Sequence, residues 1–421
     1  MSTIAIDGYL FDVQHSEDRM LLWVKTKDDK IYLLYDKFQP SIYVHGDSSI
    51  IEKLSRRLQV LGVLASAPQW RRLTHFYSGN LIDVLCYTFS KPSFLKVIHR
   101  KLYAFFERVE IYHSDIEIET LYLLERNLTL TEFVHFTCES IVSQGQNSFS
   151  VISANSLKIE NENQFEYSLP SFRVMKLSLS HSHRLNLDTA ILQLQYNDRQ
   201  LELHTKDAIT MIESLNEFVL QHDPDIILSE YGDRTILPSL YRKSKELNIP
   251  LLIDRLERRR LVTESVGRSY FTYGSIIFRA NSFHLNGRWH IDSQNSFVHR
   301  ESGLEGLIQL SRLSNIPVQR MARSSTGAAM TAIQTATAIK LGYLVPWQKS
   351  HSEERRFAID LLVADKGGLV YEPDIRTAQI YHNVVQIDFS QMYPTIMVKH
   401  NISPETVFCS CCAPQYMNVE R

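Results

Sequence analysis

Toward the C-terminal end of the chain, the run Val384-Val385-Gln386-Ile387-Asp388-Phe389-Ser390-Gln391-Met392-Tyr393-Pro394-Thr395-Ile396-Met397 sets one carboxylate after an apolar, β-branched stretch. Such residues favour extended backbone, so the pattern predicts a strand with Asp388 at its C-terminal tip, then a turn leading into a helix. A strand tip holds a charged group rigidly against a ligand while the following backbone wraps it. A carboxylate there suits Mg²⁺, which prefers hard oxygen ligands and takes few of them from protein. Tyr393 and Pro394 stiffen the turn and offer a flat ring that can stack or exclude. The competing reading of the same residues is a buried strand that ends at a capping Asp.

The elements that must position this run come earlier. At 421 residues the chain is too long for one ordinary core, and two or three domains are expected. Hydrophobic residues at 44% and charged residues at 22% describe a globular protein rather than a disordered or fibrous one. The formal charge of −2 gives no global attraction to phosphate, so local clusters must supply any such contacts. The candidates are Arg56-Arg57, Arg71-Arg72, Arg258-Arg259-Arg260, and Arg320 with Arg323, each of which can equally be a solvated face. No apolar run has the length to cross a bilayer and the N-terminus has no signal-peptide pattern, so no membrane association and a cytoplasmic location are expected. Three of the five cysteines crowd at Cys409, Cys411 and Cys412, with no fourth ligand at zinc spacing after them.

Residues 1 to about 130 open as hairpins: Tyr9–Val13, Met20–Lys25 and Ile31–Tyr35 flank polar turns such as Lys27–Lys30. Ser48 to Leu61 has helical spacing, and a second helix is expected from Pro92 to Val109, giving a small, β-rich α+β domain. From about Ser168 strands and helices alternate. Phe172–Leu179, Ala190–Gln195 and Asp225–Leu228 read as strands, and Ala208–Gln221 and Leu237–Leu247 as helices, an α/β unit ending near Leu307. Glu305 to Leu344 reads as helix, turn and helix, with Ser324-Ser325-Thr326-Gly327 at the break.

The order Asp-Phe-x-x-Met-Tyr-Pro-x-Ile at Asp388 resembles the first palm motif of family B DNA polymerases. Other segments fall into the same register. Ile308–Leu313 followed by Arg323–Gly327 looks like the stretch between exonuclease and polymerase domains, and Gly367-Gly368 is similar to the glycine pair before the palm. There a backbone without side chains approaches the template closely. Family members usually carry tyrosine two residues before those glycines, where this chain has Asp365. Asn401–Thr406 matches again after the palm motif. The resemblance implies an N-terminal domain over 1–165, an RNase H-like exonuclease-type domain over 166–307, a helical connector over 308–365 returning to the N-terminal domain, and the start of the palm over 366–421.

The implied chemistry is uneven along the chain. The family's 3′–5′ exonuclease uses several carboxylates to hold two metal ions. Here Ser178 and Ser180 stand where the first two acids belong, Ile236 stands at the second motif, and no Tyr-x-x-x-Asp lies between Arg288 and Leu307. Hydroxyls and an isoleucine cannot bring the charge that two divalent cations need. No proofreading is therefore expected, as in the divergent archaeal and bacterial branch of the family whose exonuclease sites are degraded. Asp233 and Asp292 survive, read as a turn residue and a strand cap.

For synthesis, the resemblance implies that Asp388 and the Phe389 carbonyl bind Mg²⁺. It also implies that the amides of Ser390, Gln391 and Met392 meet the triphosphate, and that Tyr393 lies under the incoming sugar. Gly367, Gly368, Arg323, Ser324 and Ser325 would contact DNA. The substrates implied are a DNA primer-template and deoxynucleoside triphosphates. The family normally has Ser and Leu where this chain has Gln391 and Met392. Neither the fingers pattern Lys-x-x-x-Asn-x-x-Tyr-Gly nor the Asp-Thr-Asp turn with the second carboxylate occurs in these 421 residues. The expectation is an N-terminal polymerase portion, inactive alone, whose partner is a C-terminal polymerase fragment. A non-catalytic DNA-binding or scaffolding protein is the alternative.

Overall fold

The computed structural model describes residues 3–102, 108–144, 149–161, 168–180, 191–204, 206–256, 267–272, 275–279, 281–347, 357–359, 380, 382–385 and 387–403. The chain divides into two compact units, residues 1–350 and 351–421. No described helix is long and apolar enough to cross a membrane.

The first unit begins with β1 (Thr3–His15), β2 (Met20–Lys25) and β3 (Ile31–Asp36), paired as successive hairpins. Asp29 takes φ 61° in the turn expected at 27–30, a left-handed position that Asp tolerates better than most residues. Next come β4 (Ser41–Gly46), α1 (Ser48–Val60), β5 (Gln69–His75), β6 (Leu81–Thr88), α2 (Pro92–Leu102), β7 (Val109–Tyr112) and α3 (Ile118–Glu125). Asp47 caps α1 by accepting from Ser49 N and Ile50 N, and Ile51, Leu54 and Leu58 form its buried stripe. The second helix is shorter than its periodicity suggests. Val109 pairs with Gly46 and Ile111 with Val44, so β-branched residues at the expected helix end are taken by a strand.

β8 (Phe133–Gln144) and β9 (Phe149–Asn161) then close a barrel in the order β1-β2-β3-β9-β8. Gly8 belongs to the wall where strands approach too closely for a side chain: a Cβ there would meet Val24 Cγ1 at 2.6 Å.

The second sheet core uses β10 (Val174–Ser180), β11 (Ile191–Tyr196), β12 (Arg199–His204), α4 (Ala208–His222), β13 (Ile226–Ser229), a π-helical turn (Gly232–Ile236) and α5 (Leu237–Leu247). A hairpin of β14 (Arg268–Thr272) and β15 (Ser275–Arg279) precedes β16 (Trp289–Asp292). The sheet order is β12-β11-β10-β13-β16, antiparallel across β10 to β12 and parallel from β10 through β13 to β16. Met175, Leu177, Leu192 and Leu194 pack one face against Ile212, Leu215 and Leu240 of α4 and α5.

The helices α6 (Phe297–Ser314), α7 (Val318–Met321) and α8 (Thr326–Lys340) follow, and β17 (Tyr343–Leu344) joins the sheet β17-β5-β6-β4-β7 by pairing with Thr74 and His75. One apolar cluster is shared between the barrel and the second sheet: Phe11, Trp23 and Leu33 pack with Trp289, Ile291, Leu307 and Val318. Phe11 and Trp289 stack with centroids 4.4 Å apart. Gly287, at φ 68°, lies against the Trp23 ring, leaving no room for a Cβ.

The second unit contains α9 (Met392–Lys399). The strand expected to end at Asp388 is not formed. Residues 384, 385, 387 and 388 have irregular backbone, and no strand among the described residues pairs with them. β-Propensity alone does not make a strand. An extended segment needs a neighbour to take its N–H and C=O groups.

Candidate active site

Asp388 lies in the irregular segment just before the Ser390–Gln391 turn, and it is exposed rather than buried in a core. The capping-Asp reading would need a buried strand, and the segment is neither. Gln391 adopts φ 51°, ψ 43°, and from it α9 starts, with Thr395 N donating to the Gln391 carbonyl at 2.9 Å. The residue at which the palm motif departs from its usual serine is therefore the one in left-handed conformation.

No side chain caps α9. Pro394, the third helical residue, has no N–H, so Met392 and Tyr393 present the first-turn amides that would meet an acceptor. Phe389 and Tyr393 are 79% and 68% exposed beside them. The helix ends in a paired cap: Ile402 N donates to Met397 O at 2.8 Å and Asn401 N to Val398 O at 3.3 Å, with Asn401 at φ 52°. Asn401, part of the resembled segment, thus serves as the left-handed terminator that Gly or Asn supplies.

Chemically, the arrangement offers one solvent-facing carboxylate and a short row of main-chain donors, a combination suited to a metal-bound phosphate. Among the described residues no group of three or more His, Cys, Asp or Glu side chains could hold a metal ion. Gly367, Gly368, Asp365 and the cysteines at 409, 411 and 412 lie outside the described residues.

The connector residues divide sharply. Ser325 is exposed and caps α8, accepting from Ala328 N at 3.1 Å, and Ser324 donates to the Arg320 carbonyl at 2.8 Å. Both line a cavity of about 470 Å³ with Gly327 and Thr331. Arg323 is only 4% exposed. Its Nε and Nη2 bind Asp233 Oδ2 and Oδ1 at 2.8 and 3.0 Å, while Nη1 donates to His290 O and Gln319 O at 2.9 and 2.8 Å. The remaining N–H faces His290 Nδ1 at 3.0 Å. With every donor turned inward, the guanidinium does not reach a phosphate, and the expected DNA contact of Arg323 is corrected to a structural one.

In the sheet β12-β11-β10-β13-β16, Ser178 and Ser180 sit on β10, opposite Gln193 and Ile191. Ser178 lines a cavity of about 460 Å³ with Gln193, Glu202, Glu230 and His299. Ile236 does not face it but is fully buried in the apolar core with Leu237 and Leu240.

Asp233 and Asp292 are buried and internally used. Asp233 also accepts from Phe283 N at 2.9 Å and Asn295 Nδ2 at 2.8 Å, and Asp292 accepts from Tyr231 N and Asp233 N at 3.1 and 2.9 Å. Burial opposes the Asp233 charge, yet Arg323 and its hydrogen bonds hold it at about 2; burial and the Asp233 charge push Asp292 up to about 6. Sequence reading took Asp233 for a turn residue. The signal that it is an ion-pair partner lies 90 positions away at Arg323. A second buried network was likewise not foreseen: Asp225 accepts from Lys25 Nζ at 2.9 Å and from Arg255 Nη2 at 3.1 Å.

The fold is a mixed α/β, multidomain one of polymerase type. It superposes on the family B DNA polymerase of Pyrobaculum calidifontis with a TM-score of 0.62 at 18% identity, covering 95% of this chain and 57% of that one. Residues 321–420 match the family model described as DNA polymerase family B. Over 103 residues the chain is 39% identical to DNA polymerase 2 of Saccharolobus solfataricus, covering 24% of this chain and 16% of that protein. Over longer spans it is 22% identical to a DNA polymerase of Pyrococcus horikoshii (91% of this chain, 33% of that protein) and 21% identical to one of Archaeoglobus fulgidus (96% and 55%). In these stretches the chain is similar to family B DNA polymerases, and it spans about half or less of the length of these relatives.

Proposed function

We propose that this chain is the N-terminal portion of a DNA-directed DNA polymerase and supplies one carboxylate of a two-metal nucleotidyl-transfer site. The observation that carries this is Asp388, solvent-facing and four residues ahead of the uncapped start of α9, inside the stretch that matches the family model. Asp388 and the Phe389 carbonyl are hard oxygen donors that fit Mg²⁺, an ion that keeps water and phosphate oxygens among its ligands. When bound, the ion neutralises triphosphate charge. The protein's own part is orientation. The amides of Ser390, Gln391 and Met392 face the phosphates, and the Tyr393 ring lies under the sugar, where a 2′-hydroxyl would clash.

One carboxylate does not hold two ions, and the family's Asp-Thr-Asp turn is not among these residues. Synthesis then depends on further polypeptide that brings the second acid. On the same reading, Ser178, Ser180 and Ile236 leave the exonuclease-like domain without proofreading, while Gly367, Gly368, Ser324 and Ser325 guide the template.

Primer extension tests this. The chain alone should give no extension; adding a polypeptide with the remaining palm and fingers should restore it, and Asp388→Ala should abolish it while DNA binding persists. Extension by the Asp388→Ala protein would overturn the proposal.

A further inference from the structure

The sheet built on β10 ends in an edge. β12 pairs with β11 on one side, and no strand among the described residues pairs with its other side. The two-residue turn Asn197–Asp198 closes on the pair Tyr196–Arg199, which must therefore exchange both of its hydrogen bonds. Alternation then turns the N–H and C=O groups of Arg199, Leu201 and Leu203 toward β11, and those of Gln200, Glu202 and His204 toward the open side. The latter three residues are exposed. Side chains alternate as well. Leu201 and Leu203 pack with the apolar core under α4 and α5, while Gln200 and Glu202 line the cavity of about 460 Å³ that also holds Ser178. Natural sheet edges are commonly guarded by proline, lysine or a bulge. Residues 199–204 contain neither proline nor lysine, and they register with β11 without a bulge.

We propose that two copies of this chain pair through β12, antiparallel about a two-fold axis at Leu201, so that two five-stranded sheets join into one. Open-side residues must meet open-side residues, which leaves few registers. Centred on Leu201, residues 199–203 of the two copies overlap. Leu201 then meets its own counterpart, Gln200 meets Glu202 and Asp198 meets His204, and no like charges oppose each other. Centred on Glu202 the overlap is as long, but the two Glu202 carboxylates face each other. Centres at Gln200 or Leu203 shorten the overlap. Gln193 Nε2 already donates to Glu202 Oε1 at 2.8 Å, and the carboxylate keeps lone pairs for the Gln200 amide of the second copy. Charge and amide placement thus select one register. The same pairing brings the two cavities beside β12 together, each gaining Gln200 and Glu202 of the second copy along its rim.

A single strand seam is small, so the dimer should be weak, with a dissociation constant on the order of 10–100 µM. Sedimentation equilibrium of the full chain across that range should show monomers passing to dimers. Gln200→Pro is the sharpest variant. The Gln200 N–H bonds nothing in β11, so proline there spares the hairpin and blocks the seam. Its dissociation constant should rise about tenfold or more, with an unchanged circular dichroism spectrum. His204→Asp sets a like charge opposite Asp198 and should weaken pairing too, and the double variant D198K/H204D reverses the pair and should restore it. Leu201→Cys reads the register. The Cα atoms of a non-hydrogen-bonded antiparallel pair lie about 4.5 Å apart, within disulfide reach. Mild oxidation should then give a dimer whose 201-to-201 linkage is found by peptide mass spectrometry. A chain that stays monomeric throughout overturns the proposal. So do dimers that persist unchanged in Gln200→Pro, which would assign association to another surface, such as the exposed Ile387 and Val398 of the second unit.

Discussion

Arg323 and Asp233 close on each other in a buried fork, with Nε to Oδ2 at 2.8 Å and Nη2 to Oδ1 at 3.0 Å. The pair ties the residue preceding Ser324 and Ser325 to the π-helical turn after β13. Where the resemblance suggested a hand for DNA, the molecule has a rivet.

Breaking that fork should be costly. Arg323→Ala leaves Asp233 buried and unpaired, and urea unfolding should show a loss of about 3–5 kcal/mol. Arg323→Lys should lose much of this too, because a point ammonium cannot reproduce the bidentate geometry. The double variant R323M/D233L should lose less than R323A, and additivity of the two changes would contradict the pairing.

Asp12 predicts a pH dependence. It is buried, and burial, with the Glu119 charge adding to it, pushes its carboxyl up to about 8. Between its unfolded value of about 4 and that point, the folded chain holds a proton that the unfolded chain has released. Stability from this group therefore falls as pH rises through about 4 to 8 and levels off above. Asp12→Asn mimics the protonated form, so its urea midpoint should gain on the wild type between about pH 5 and pH 8. Asp233 works in the opposite sense: held at about 2, it withdraws stability only as pH drops below about 4. Equal pH slopes for wild type and Asp12→Asn would refute the assignment.

Gln391 holds a left-handed backbone without being glycine or asparagine. Gln391→Gly should relieve roughly 1 kcal/mol of that cost while remaining acceptable as a helix cap. Hydrogen exchange of the Thr395 amide, bonded to Gln391 O, should slow about fivefold. Faster exchange would mean that the glutamine side chain supports the turn in some further way.

Tyr393 bears on substrate choice under the proposed function. In the reassembled polymerase, Tyr393→Ala should raise ribonucleotide incorporation relative to deoxyribonucleotide, through kcat/KM for the two sugars, with extension retained. An unchanged ratio would remove Tyr393 from sugar selection.

Local elements were well encoded in the sequence. The turn at Asp29, the strand Met20–Lys25 and the helix Leu237–Leu247 follow from spacing and propensity, and they stand at the expected residues. Pairing between distant residues was not encoded in any window. Barrel closure brings Ile31 beside Phe149 in parallel, and nothing near either residue announces the other. The same limit hid the roles of Asp12, Asp225 and Asp233, since a lone acid in sequence carries no mark of the cation or cavity that will receive it. Val384–Asp388 failed for the converse reason: strong β-propensity met no neighbouring strand among the described residues.

The stacked rings of Phe11 and Trp289, and Lys25 reaching Asp225, make the linear map of this polypeptide a poor guide to excision. A cut near residue 165 would strip a lysine from its buried anion and an indole from its partner. Neither severed piece should survive as an independent module, and the barrel and the sheet built on β10 should melt in a single transition.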